Sequence, residues 1–325
     1  MKPKVFIARP IPAEAEAYIA RHCEVKKWEG PGAIPRDRLL EAVADVEGLL
    51  TSGHRIDAEL LDSAPKLRVV CNAIVGYNNF DLEAMRKRRI LGTHTPTVLD
   101  DTVADLVMGL MLAAARRITE LDAYVKAGNW KKGDVEVLYG IDVHHKTLGI
   151  IGMGRIGEAI AKRAYNGFGM KVLYHNRSRK PEAEKQYAAE YAAMEELLRQ
   201  SDFVVLMTPL TPETDGLMGE NEFRMMKSSA IFINASRGKT VNEQALIKAL
   251  KEGWIHAAGL DVFEQEPVDL NNPLLRMSNV VTLPHIGSAT AQTRFDMVML
   301  AAQNLVQTLQ GQEPPNVVPE LRDLL

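Results

Sequence analysis

Three segments in the second half of the chain each place an ionisable side chain just past a short apolar run that reads as a β-strand. They are Arg237 in Ser236-Arg237-Gly238, Glu266 in Glu264-Gln265-Glu266-Pro267, and His285 in Pro284-His285. A guanidinium stays charged at working pH, and its planar fork engages a carboxylate and a neighbouring carbonyl oxygen together. An imidazole titrates near neutrality and can give or take a proton in either direction of a reaction. A carboxylate beside it favours the imidazolium form and fixes the ring. Taken singly, each residue also has an ordinary reading, as a surface arginine, a loop acid and a packed histidine. Taken together, they suit a site that grips a small keto or hydroxy acid and moves one proton on its oxygen.

A second constellation supplies the missing half of such a reaction. The strand-like run Thr147 to Ile151 enters Gly152-Met153-Gly154-Arg155-Ile156-Gly157, and an Ala-rich helical stretch follows at once. In this strand-to-helix setting Gly152 permits a tight turn, Gly154 lets main chain approach a pyrophosphate, and Gly157 allows close packing of helix on strand. The expected ligand is a nicotinamide dinucleotide, so that hydride and proton are delivered to one keto carbon and its oxygen. Nineteen residues past Gly157, where an acid would accept from the ribose 2'-hydroxyl, the chain reads His175-Asn176-Arg177-Ser178-Arg179-Lys180. Arg177 and Arg179 suit a 2'-phosphate, which favours NADP with NAD also admitted; the alternative is a solvated charge run on an exposed loop.

The elements that must position these residues form two series. Val5 to Ala8, Val46 to Leu50, Leu67 to Cys71 and Ile90 to Thr93 form the first, with amphipathic helical stretches between the first three runs, and Thr147 to Ile151, Lys171 to His175, Phe203 to Met207, Ala230 to Asn234, Ala257 to Asp261 and Val280 to Leu283 form the second and longer one. Such alternation predicts two parallel sheets, and strand ends in a doubly wound sheet line one crevice. One helix is expected over Asp101 to Lys126 and another over Thr290 to Gln310, stopped by Gly311 and Pro314-Pro315. At 325 residues the chain exceeds one typical core, which stops growing near roughly 250–300 residues.

Composition excludes several classes of partner. Lys plus Arg number 39 against 42 Asp plus Glu, a formal charge of -3 with both signs dispersed, so no polyanion such as nucleic acid is implied. The most apolar stretch, Leu106 to Ala115, falls short of the about 20 residues that span a bilayer. Cys23 and Cys71 stand in no metal-binding or thiol-activating motif, and no export signal precedes Val5, so free buried thiols, no metal and a cytoplasmic location are expected.

The chain resembles the D-isomer-specific 2-hydroxyacid dehydrogenase family, and within it the bacterial glyoxylate/hydroxypyruvate and 2-ketogluconate reductases. The resemblance runs through Val75-Gly76-Tyr77, His94-Thr95-Pro96, Thr102-Val103-Ala104-Asp105, the whole of Asp142 to Gly157, Ile233 to Gly238, Gly259 to Pro267 and Pro284 to Ser288. It implies two doubly wound α/β domains with a cleft between them: a flavodoxin-like substrate domain, residues 1–99 and 287–325, and a Rossmann cofactor domain, 100–286. Reduction of glyoxylate, hydroxypyruvate or 2-ketogluconate to a D-2-hydroxy acid is the implied activity, with Arg237, Glu266 and His285 as the catalytic set. Ser52, Gly53, Val75 and Gly76 are implied to hold the substrate carboxylate. Thr102, Arg155, Ile156, Pro209, Thr214, Ala235 and Asp261 are implied to meet the cofactor, although Asp261 equally reads as a turn cap. A homodimer formed through Asp101 to Lys126 and Trp130 is likewise implied. Asn78 stands where relatives commonly carry aspartate. Two rivals are a nucleotide-sensing protein of the same fold and a sister enzyme acting on phosphoglycerate, phosphite or formate, the last disfavoured because its relatives carry glutamine where Glu266 stands.

Overall fold

The computed structural model describes residues 2–325; Met1, where the first expected domain begins, lies outside the described residues. Two compact units are present. One runs from the N-terminus to Leu99 and resumes over Ala289–Leu325, and the other spans Asp100–Ser288.

The first unit holds strands β1 (Lys4–Ile7), β2 (Glu24–Lys27), β3 (Gly48–Thr51), β4 (Val69–Asn72) and β5 (Leu91–Thr93), all parallel in the order β2-β1-β3-β4-β5. β3 and β4 are buried at every position, because helices cover both faces of a parallel sheet and leave no solvent side to alternate with. That continuous burial is why their sequences read plainly. β2, Glu-Val-Lys-Lys, was not expected: it is an edge strand, mostly exposed, and carries no apolar signal. The helix Ala291–Leu309 packs on β3, β4 and the helix Ala13–His22, its start capped by Thr290 Oγ1, which accepts from the Thr293 N–H.

The second unit holds β6 (Thr147–Ile151), β7 (Lys171–His175), β8 (Glu190–Tyr191), β9 (Phe203–Leu206), β10 (Ile231–Asn234), β11 (Ala257–Leu260) and β12 (Val280–Thr282), in the order β12-β11-β10-β9-β6-β7-β8. All pairs are parallel. The strand order reverses between β6 and β9, the switch point at which α/β sheets bind ligands. Register aligns Ile151 with His175 and Leu206, Asn234 with Leu206 and Leu260, and Leu260 with Thr282. The segments that follow these residues therefore leave one edge of the sheet together. Beneath them Phe223 and Phe232 meet edge to face, 5.3 Å apart, in a fully buried cluster with Leu206, Leu246 and Leu260.

The expected helix over Asp101 to Lys126 is two helices, Asp100–Ala115 and Ile118–Lys126. Arg117 breaks it with a left-handed backbone, φ 55°, and its guanidinium is spent on Glu120 and on the carbonyls of Val137 and Tyr139. The first helix buries eight residues against β10, β11 and the helix Arg155–Phe168; the second buries none. Cys23 and Cys71 are free and buried, and burial pushes the Cys71 thiol up to about 12. No helix of the described residues is long and apolar enough to cross a membrane.

Candidate active site

Gly152 leaves β6 with φ 103°, and a Cβ there would stand 2.7 Å from the Met207 carbonyl group. A Cβ on Gly157 would lie 2.6 Å from Gly152 O, whereas one on Gly154 would meet nothing within 4 Å. The turn is thus closed on its protein side and open at Gly154. The helix Arg155–Phe168 starts there, and the N–H groups of its first turn have no acceptor inside the helix, which leaves donors and the positive helix end for an anion. Beside the same turn, just past β9, Thr208 Oγ1 is buried without a hydrogen-bond partner among the described residues. These residues fit a pyrophosphate. Thr208 escaped sequence reasoning; its signal is its place one strand across the switch point from the glycine turn. The Arg155 guanidinium rests on Asp100, Nε to Oδ2 3.2 Å.

In the loop after β7, Asn176 folds its amide onto the glycine turn, accepting from Met153 N at 2.8 Å and donating to Met153 O at 3.1 Å. Arg179 is paired with Glu184 at 2.8 Å, and Ser178 is exposed. Arg177 is exposed and makes no hydrogen bond or ion pair among the described residues. Of the two arginines, Arg177 is the one without a hydrogen bond or ion pair among the described residues, although its charge acts on Glu213. Thr214 Oγ1 donates to Pro209 O at 2.6 Å and accepts from Thr211 N at 2.8 Å, closing the loop after β9. Thr102 lies in the first turn of the helix Asp100–Ala115, and Ala235 directly follows β10.

Arg237, Glu266 and His285 come together at the same sheet edge. His285 Nδ1 and Glu266 Oε2 are 2.7 Å apart, and the other carboxylate oxygen accepts from Phe263 N at 3.1 Å. Burial works against the Glu266 charge, but the His285 hydrogen bond, the Phe263 N–H and the charges of His285 and Arg237 outweigh it and hold its pKa below the usual value. Arg237 is part-buried; burial draws its pKa down while Glu266 opposes, and a guanidinium still remains charged. Asn234, which was not singled out, builds this loop: Oδ1 accepts from Ser236 N and Oγ, and Nδ2 donates to Arg237 O at 3.1 Å. Gly238 is held against the other loop, since a Cβ there would lie 1.7 Å from Phe263 O. That contact of backbone on backbone fixes the Arg237 loop against the one carrying Glu266.

His285 sits at φ 53°, a left-handed conformation that disfavours a side chain. Asp261 holds it there. The Asp261 carbonyl accepts from His285 N at 2.8 Å, and its carboxylate, 1 % exposed, accepts from Ile286 N at 2.7 Å and Gly287 N at 2.8 Å. Burial raises the pKa of Asp261 against the pull of those two N–H groups. Of the two readings open for Asp261, the turn staple accounts for both of its oxygens.

In the first unit, Ser52 and Gly53 follow β3, and Val75 and Gly76 lie shortly after β4. Gly53 N donates to Asn72 Oδ1 at 3.1 Å, so that N–H is already engaged. The N–H groups of Val75 and Gly76 donate to no acceptor among the described residues. No cluster of metal-ligating side chains occurs among the described residues.

The family model described as D-isomer specific 2-hydroxyacid dehydrogenase, NAD binding domain, matches residues 108–287, more than half of the chain. The chain belongs to the D-isomer-specific 2-hydroxyacid dehydrogenase family. It is an enzyme, an oxidoreductase of 2-hydroxy acids that binds a nicotinamide dinucleotide. Among its relatives, glyoxylate reductase from Thermococcus litoralis is 51% identical over 98% of this chain and 97% of its own length. Glyoxylate/hydroxypyruvate reductase B from Klebsiella pneumoniae is 50% identical over 98% of each. Among solved structures, the NADPH-dependent glyoxylate/hydroxypyruvate reductase from Sinorhizobium meliloti, in complex with NADP and malonate, superposes with a TM-score of 0.86 at 30% identity, covering 99% of this chain and 98% of that one.

Proposed function

We propose that this enzyme reduces small 2-keto acids, glyoxylate, hydroxypyruvate or 2-ketogluconate, to the corresponding D-2-hydroxy acids, with NADPH preferred over NADH. The observation that carries the reading is the His285–Glu266 pair at 2.7 Å with the Arg237 guanidinium beside it. Arg237 holds the substrate carboxylate and polarises the ketone, a task that needs a permanent, forked cation. His285 keeps Nδ1 on the Glu266 carboxylate, which leaves Nε2 as the atom that hands a proton to the keto oxygen in reduction and takes it back in oxidation. Glu266 steadies the protonated ring and fixes its orientation. The bound nicotinamide supplies the hydride. Gly152, Gly154, Arg155, Ile156 and Gly157 would hold its pyrophosphate, with Thr102, Pro209, Thr214 and Ala235 around the remainder. Asp261 serves by holding the His285 turn.

NADP preference is supported by Arg177, an unpaired cation at the ribose end of the turn, and by the absence of a carboxylate at Asn176. The Val75 and Gly76 N–H groups are assigned to the substrate carboxylate because they lack acceptors of their own, and the loop at Ser52 and Gly53 is assigned with them. A homodimer is supported by the run of exposed apolar side chains at Ile118, Val125, Trp130, Val135, Val137 and Tyr139, a concentration that a lone chain would leave against water. Two unpaired buried thiols suit the reducing cytoplasm.

The test is initial-rate kinetics with glyoxylate, hydroxypyruvate, 2-ketogluconate and pyruvate, each with NADPH and NADH. The expected result is turnover of at least one of the first three acids, with kcat/KM higher for NADPH than for NADH with every acid that is reduced. Turnover of none of the four would refute the reading.

A further inference from the structure

Asn72 ends β4 with a side chain that is wholly buried, and every polar atom of that amide is spent on the two loops assigned to the substrate carboxylate, so any role for Asn72 in binding rests on that assignment. Its Oδ1 accepts from Gly53 N at 3.1 Å. Its Nδ2 donates to Gly76 O at 3.0 Å and to Asn79 Oδ1 at 3.1 Å. Asn79 Nδ2 in turn donates to His54 O at 2.7 Å. One buried amide and its neighbour therefore tie residues 53–54 to residues 76–79. The preceding peptides of the same segment are pinned separately, Ile74 O by Thr95 N at 3.1 Å and Val75 O by His94 Nδ1 at 2.8 Å. Because a peptide group is planar, fixing each carbonyl also fixes the direction of the N–H across the bond. Thr95 and His94 thus aim the Val75 and Gly76 N–H groups, and Asn72 fixes the end of the segment and its distance from Gly53.

We infer that Asn72 is a positioning residue for substrate affinity: it sets the register of the two carboxylate-binding loops without touching the acid. A pair of N–H groups recognises an anion only while the two point at one place, so a loop displaced by a few tenths of an ångström loses binding before it loses the fold. A hydroxyl or methyl at position 72 cannot replace the amide, since the site needs an acceptor for Gly53 and a donor for Gly76 on the same planar group. The Asn72 amide bonds to Gly53, Gly76 and Asn79 and to none of Arg237, Glu266 or His285, so the expected effect is on KM for the keto acid and not on proton transfer.

The test is Asn72→Asp, which keeps the acceptor for Gly53 N but turns an oxygen toward Gly76 O and Asn79 Oδ1. KM for glyoxylate is expected to rise about 10-fold, with kcat within about 3-fold and NADPH affinity within about 2-fold of the parent. Asn79→Ser, which removes only the donor to His54 O, is expected to raise KM about 3-fold and decides the matter if the first variant does not fold. An unchanged KM in a folded variant overturns the inference. So does a loss shared equally by kcat, glyoxylate KM and NADPH affinity, which is what a merely structural role would give. Val75→Pro deletes one of the two N–H groups and probes the underlying assignment. An unchanged KM there sinks the assignment itself, whereas a raised KM there beside an unchanged KM in Asn72→Asp sinks only the role given to Asn72.

Discussion

Asp261→Asn isolates the device that holds His285 in place. The native carboxylate uses both oxygens, at 2.7 and 2.8 Å, on the N–H groups of Ile286 and Gly287, and it is 1 % exposed. Asparagine can accept at one position only; its NH2 group then faces a backbone N–H with no water to intervene. Hydrogen bonds to a charged group contribute about 1.5–3 kcal/mol each, and a stranded buried donor costs about 1–3 kcal/mol. Against this, the substitution removes a buried charge whose desolvation is visible in the raised pKa of Asp261. The net local loss is therefore about 2 kcal/mol, comparable to the about 1–2 kcal/mol stored in a left-handed side-chain-bearing residue. With the staple halved, His285 relaxes from φ 53° and the imidazole leaves its alignment. The expected result is kcat reduced about 10- to 100-fold, a melting temperature lower by about 4–8 °C, and NADPH affinity within about 3-fold of the parent. Calorimetry and steady-state rates on one preparation measure all three. A folded variant with parental kcat would refute the reasoning, because Asp261 would then hold nothing that the reaction needs.

Other outcomes rest on single observations. Arg177→Ala should raise KM for NADPH about 10-fold and leave that for NADH within about 2-fold, since the side chain makes no hydrogen bond or ion pair among the described residues and only its charge acts on Glu213; equal losses for both would remove it from the cofactor site. Gly152→Ala should destabilise the protein by about 2–4 kcal/mol and abolish tight dinucleotide binding, because its Cβ would meet the Met207 carbonyl group at 2.7 Å in a backbone already at φ 103°. An unaltered melting curve would contradict that. Asp45 is paired with Lys4 and Lys66, and both cations lower its pKa from 3.8 to about 2. A folded pKa below the unfolded one stabilises the native state above about pH 4 and ceases to do so as pH falls through 2. Asp45→Asn should therefore flatten the fall in urea midpoint between pH 4 and 2; an identical slope in both proteins would deny the pairing.

Much of this architecture was legible because parallel strands covered on both faces are continuous apolar runs. β6 and β7 read to the residue, and β9 to β12 to within a residue at either end. The edge strands β2 and β8 were not legible, since half of an edge faces water and Glu-Val-Lys-Lys or Glu-Tyr looks like loop. The break at Arg117 was hidden for another reason: the left-handed residue is fixed by carbonyls twenty or more positions away, at Val137 and Tyr139, which no local periodicity reports. Arg237, Glu266 and His285 could be named because charged residues at strand ends are few and the required chemistry selects among their types. Asn72, Asn234 and Thr208 could not. Their roles depend on which loops meet above the sheet, and an asparagine or threonine after a strand is ordinary until a buried partner, or the lack of one, sets it apart.

The most direct measurement is single-turnover reduction of glyoxylate by His285→Ala with NADPH. If Nε2 of that ring carries the proton, the chemical step slows by about 100- to 10,000-fold while NADPH binding, followed by fluorescence titration, stays as in the parent. A chemical step within about 3-fold of the parent would mean that the proton travels by another group and that the His285–Glu266 pair is scaffolding.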